Sequence, residues 1–124
     1  MEKKIMIDGK AVGFRSTAAL PRLYRIRFGR DIFADLSKMQ TALKKEQERQ
    51  AKEKDSSSQL PPDVLSTFEN LAYCMAKSAD PAGVPETAEE WLDGFETFSI
   101  YEIIPELMEL WADNNAQLAH PAKK

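Results

Sequence analysis

The sequence predicts an α+β fold in which an N-terminal β-hairpin packs on a mainly helical domain of about five helices. Two patterns lead there. Two short segments, KKIMI and KAVGF, with apolar residues on alternate positions flank Asp8-Gly9, the dipeptide best suited to the positive-φ positions of a type I′ turn. From residue 20 onward the apolar residues instead recur every three or four positions, the spacing of helices with one buried face. A chain of 124 residues with 43% hydrophobic side chains is long enough for one core and is read as a single domain, residues 1–124.

In the hairpin, residues 1–15, a two-residue loop pairs Ile7 with Lys10, Ile5 with Val12 and Lys3 with Phe14. Ile5, Ile7, Val12 and Phe14 then share one face. An isolated hairpin is marginal in water, so that face must rest on helices or on a further strand.

Two helices follow over residues 20–43. Pro21 suits the first turn of LPRLYRIRF and Gly29 its C-terminal stop. Leu20, Leu23, Tyr24, Ile26 and Phe28 cover about 200° of its circumference, Arg22 and Arg25 lie opposite, and Arg27 falls inside the apolar arc. Such an arginine is expected to snorkel or to meet a carboxylate. Asp31 can cap the next helix, with Ile32, Phe33, Leu36, Met39 and Leu43 as its stripe. Beyond Leu43, KKEQERQAKEKD is almost devoid of apolar residues and SSSQLPP breaks the helix, so residues 44–62 read as a solvated extension running into a mobile loop.

Residues 63–118 form the remaining helical part, and residues 119–124 a frayed tail. Over residues 63–79, Val64, Leu65, Phe68, Leu71, Ala72, Met75 and Ala79 fall within about 120°, with Ser66, Asn70 and Lys77 opposite. Cys74 borders that arc, where a buried, inert thiol is expected. Thr87 and Glu90 form a capping box for AEEWLDGF, whose Trp91, Leu92, Phe95 and Phe98 supply aromatic core. Ser99 and Glu102 form a second box opening SIYEIIPELMELWADNN, where Pro105 predicts a kink or a restart. On that helix Ile100, Ile103, Ile104, Leu107, Leu110 and Trp111 make the buried side, with Trp111 expected partly exposed at the end. Glu102, Glu106, Glu109 and Asp113 cluster within about 60°.

Charge is divided along the chain. The net value of −3 conceals 14 basic and 7 acidic residues in 1–54 against 3 basic and 13 acidic in 55–124. No apolar run approaches the ~20 residues of a membrane span, and one cysteine fits a reducing cytoplasm. The sole histidine, His120, lies in the tail, and there is no Gly-rich phosphate loop, HExxH or paired CxxC. Neither a catalytic residue nor a metal or other cofactor is expected. The residues expected to meet a partner are the basic set Arg22, Arg25, Arg30 and the acidic stripe Glu102, Glu106, Glu109, Asp113 with Trp111.

The order of a DGK hairpin, PRLYRIRFGRDIF, NLAYCMAK and PETAEEWLDGFETFSIYEIIPELMELW resembles the small tail assembly chaperones of long-tailed, siphovirus-type phages and prophages of Gram-positive bacteria. Tyr24–Phe33 and Glu90–Trp111 are its most specific pieces; residues 44–62 have no counterpart. The resemblance implies a non-enzymatic protein of the bacterial host cytoplasm. It would coat the long tape measure protein and keep it soluble until tail tube protein polymerises and displaces it. Two alternatives come from charge. The basic half could serve a nucleic-acid-binding regulator, although the acidic half opposes it and no nucleic acid is expected. The two halves could also join copies head to tail in a homo-oligomeric structural subunit.

Overall fold

The computed structural model describes residues 1–54 and 59–119, with the side chains of the last helix described as far as Ala112. Among these residues the architecture is α+β: a two-stranded antiparallel hairpin followed by five helices.

Asp8 and Gly9 take φ of 54° and 73°, the left-handed pair that a tight two-residue turn requires. Strands β1 (Glu2–Ile7) and β2 (Lys10–Arg15) thereby pair in the expected register, with Ile7 opposite Lys10, Ile5 opposite Val12 and Lys3 opposite Phe14. Among the described residues no third strand joins them. Ile7 and Phe14 are buried, while Met6 on the other face is 65% exposed.

Helix α1 (Leu20–Phe28) carries Pro21 in its first turn and ends on Gly29 at φ 65°, whose amide donates to the Arg25 carbonyl. Its apolar arc is narrower than the wheel predicts, because Ile26 is 68% exposed. Helix α2 (Ile32–Glu53) starts at Asp31, whose carboxylate accepts from the Phe33 amide at 3.0 Å. Ile32, Leu36 and Met39 are buried, whereas Phe33 is half exposed with its ring edge-on to Trp111. The helix continues ten residues past Leu43, as an extension should. It is not solvated all round: the Glu46 side chain is 10% exposed, held by Arg49 and by the Gln59 amide. The loop expected to be mobile falls largely on residues 55–58, outside the described residues, but Leu60 at its end is buried.

Helix α3 (Pro62–Ala79) is the central pillar, in contact with β2, α1, α2, α4 and α5. Its second half is buried on every side, since each residue from Leu71 through Lys77 is inaccessible. Helical phase places Lys77 on the solvent side, and the structure reverses that. Its ammonium donates to the carbonyls of Pro81 and Val84, each at 2.7 Å, and to Glu86 at 2.6 Å, so the following loop folds over it as a lid of acceptors. Tyr73 is covered in the same way, its hydroxyl donating to the Pro85 carbonyl at 2.6 Å.

Helix α4 (Ala88–Asp93) is capped by Thr87, whose hydroxyl oxygen accepts from the Glu90 amide at 3.1 Å and donates to the Glu90 carboxylate. Trp91 is buried and meets Phe14, Tyr73, Phe95 and Phe98 with ring centroids 5.3–6.2 Å apart. Helix α5 (Ile100–Ala119) runs through Pro105 without restarting. Its start is fixed by the Ser99 carbonyl, which accepts from the amides of Glu102 and Ile103, rather than by the side-chain box the sequence predicts. Ile103, Ile104, Leu107, Leu110 and Trp111 are buried, so Trp111 belongs to the core and not to its edge.

Candidate partner-binding surfaces

Three surfaces are candidates for partner contact: the outer face of α5, the α1 arginines, and an open groove between α2 and the start of α3.

On α5 the helical period brings Glu102, Glu106 and Glu109 to one side. Asp113, expected beside them, lies outside the described side chains. The stripe is met from within the chain. Lys3 shares the inner face of the hairpin with Ile5, which aims its ammonium at α5, where it forms ion pairs with Glu106 and with Glu109, the latter at 3.3 Å. Its hydrogen bond to Glu106 is the main reason its pKa is raised, with burial opposing. Glu102 remains exposed. The expected acidic docking strip is thus partly an internal clamp between β1 and α5. Trp111, expected to contact a partner beside it, is 4% exposed and packs on Phe33, so it is withdrawn from that role.

The α1 arginines separate likewise. Arg22 and Arg25 are exposed, as expected. Arg30 is engaged: its Nε and Nη2 donate to the two carboxylate oxygens of Asp35 at 2.8 and 2.7 Å. Asp35 also accepts from the Tyr24 hydroxyl at 2.8 Å, although Tyr24 is wholly buried. The Arg30 bonds chiefly, and that of Tyr24 in addition, hold the Asp35 carboxyl below its usual range against the opposing effect of burial. Burial and the Asp35 bond push the Tyr24 phenol upward. Arg27 forms no ion pair with a carboxylate among the described residues. It lies over the Tyr73 ring, 5.6 Å from the centroid, and its Nη1 is 3.5 Å from the Tyr73 hydroxyl. Arg30 is therefore paired within the α1–α2 corner, its side chain still 54% exposed.

The third surface was not legible as a site. Ala34, Ser37, Thr41 and Ala42 from α2 and Pro61 and Val64 from the entry to α3 line a groove of about 730 Å³, open to solvent. Small side chains at three- and four-residue spacing on α2 leave this trough beside the larger residues of its core stripe. Charged residues Lys38, Lys45, Glu46, Arg49 and Asp63 complete its walls.

Chemically reactive groups are scarce on these surfaces. Among the described residues no cluster of His, Cys, Asp or Glu could hold a metal ion. Burial pushes the Cys74 thiol up to about 11, so at neutral pH it carries almost no thiolate. No helix among the described residues is long and apolar enough to cross a membrane. Compared with known proteins, the chain matches no family model, no curated protein and no solved structure.

Proposed function

We propose that the protein is a tail assembly chaperone that binds a phage or prophage tape measure protein and keeps it soluble until tail tube protein polymerises around it. The observation that carries the reading is the sequence resemblance over Tyr24–Phe33 and Glu90–Trp111. The structure is compatible with the role. A chaperone for a long helical client works by repeated, releasable contacts, and an open groove with a small-residue floor and charged walls suits such contacts. The α1 corner supports protein contact over nucleic acid as well, since Arg27 and Arg30 are engaged within the chain.

The test is co-expression with a tape measure protein encoded beside the gene. The chaperone shifts that client from the insoluble to the soluble fraction and co-purifies with it. A client that stays insoluble and uncomplexed refutes the proposal. Mobility shift at ~50 mM salt, where phosphate contacts are strongest, separates the nucleic-acid alternative, which requires retardation there.

A further inference from the structure

We infer that the α2–α3 groove is a docking site for one amphipathic helix of a partner, with a short stripe of small apolar residues and an acidic flank. Three observations support this occupant. The first is shape: the lining follows α2 from Ala34 to Arg49, about 22 Å at 1.5 Å per residue, the length of a four-turn helix. The second is chemistry. Ala34, Ala42, Pro61 and Val64 offer only carbon, and the Thr41 hydroxyl already donates to the Ser37 carbonyl at 3.0 Å. Apart from the exposed Ser37 hydroxyl, that part of the groove therefore asks no side-chain hydrogen bond of its occupant, so an apolar helix face can cover most of it without stranding a polar group.

The third is charge. Both wall carboxylates are engaged inside the chain: Glu46 accepts from Arg49 at 2.7 Å, from Gln59 and from Gln50, and Asp63 lies 3.7 Å from Lys38. Lys45 is exposed on the same wall, forms no ion pair among the described residues, and has exposed Lys44 and Lys52 as neighbours on the helix. Among the described residues the exposed Lys44, Lys45 and Lys52 outnumber the exposed Glu48 between them, so the balance of charge beside the groove is positive, which selects a carboxylate flank and penalises a basic one. The inference rests on the chaperone reading only for the client's identity; the groove's preference is a separate property of its walls.

The probe is a pair of synthetic helical peptides with the same alanine–leucine stripe, one flanked by glutamates and one by lysines. Fluorescence anisotropy at low salt reads binding to the wild-type protein, to Thr41→Arg, which fills the trough from an exposed position, and to Lys45→Glu. Circular dichroism confirms that both variants fold. The glutamate peptide binds at least tenfold tighter than the lysine peptide, Thr41→Arg abolishes binding, and Lys45→Glu reduces the preference severalfold. Equal affinity for the two peptides, or binding indifferent to Thr41→Arg, overturns the inference. So does a wild-type dimer in sedimentation that Thr41→Arg dissolves, because the occupant is then a second copy. A client that remains insoluble while the glutamate peptide still binds refutes the chaperone reading and leaves this one standing.

Discussion

Replacing Asp35 by alanine removes the acceptor at the corner between α1 and α2. Its residue is 4% exposed and receives three hydrogen bonds, one from the wholly buried Tyr24 hydroxyl and two from Arg30. The losses are unequal. Arg30 is half exposed, so water takes the place of the carboxylate and its part is small. Tyr24 has no such recourse, and a buried donor without an acceptor costs about 1–3 kcal/mol. Urea denaturation of Asp35→Ala should therefore show stability reduced by about 1–3 kcal/mol. Tyr24→Phe in the same background should recover most of that loss, because the stranded hydroxyl is gone. The pH dependence has a fixed sign. Asp35 is depressed in the folded state, so its contribution is full above the unfolded carboxyl value near ~3.9 and is lost as pH falls toward the folded value. Asp35→Asn should flatten the stability profile below about pH 4. A loss under ~0.5 kcal/mol for Asp35→Ala, or no rescue by Tyr24→Phe, refutes the claim that the phenol dominates.

Three further perturbations follow from the packing. Lys77→Met removes the ammonium that gathers the carbonyls of Pro81 and Val84, so amide exchange and proteolysis within residues 80–86 should rise, with a global loss of about 1–3 kcal/mol; unchanged exchange there contradicts the lid. Cys74 should resist a thiol reagent at pH 8 in the folded protein and react promptly in urea; rapid native labelling contradicts its burial. Pro105 has no amide proton for the Tyr101 carbonyl one turn back, and it is exposed, so Pro105→Ala should raise the melting temperature; a fall would show that the ring's packing outweighs the missing bond.

What was legible in the sequence was what neighbouring residues decide. Asp8-Gly9 determined the turn and with it the whole register, because a two-residue loop leaves no freedom to slip. Pro21, Gly29, Asp31 and Thr87 marked helix ends because their interactions reach only two to four residues. Local sequence misleads where a distant segment changes a residue's surroundings. Lys77 looks solvated on a wheel, but a loop closed by residues 81–86 supplies its acceptors. Trp111 looks terminal along α5, yet Phe33 from α2 packs edge-on against it. Arg30 looks free until α2 turns Asp35 back toward it, and half of the acidic stripe belongs to Lys3, more than a hundred residues earlier. The groove was invisible for a related reason. Alanine, serine and threonine on an exposed helix face carry no signal of their own, and only the placement of α3 makes a trough of them.

The hairpin turn also makes long-range bonds: Asp8 accepts from the Glu96 amide and the Thr97 hydroxyl, while Lys10 reaches the Gly94 carbonyl and lies over the Phe95 ring. Together with Phe14 on Trp91 and Lys3 on α5, these contacts close the chain's earliest element onto some of its latest. On a ribosome adding about 5–20 residues per second, the hairpin emerges roughly 5–20 s before those partners exist. Through that interval the hairpin, marginal on its own, leaves Ile5, Ile7, Val12 and Phe14 uncovered as a greasy ribbon with two open edges, a form prone to pair with a neighbour. Burial of that ribbon waits for the second half of translation, so slow synthesis or truncation before Trp91 should send the nascent chain into aggregates rather than into a smaller folded core.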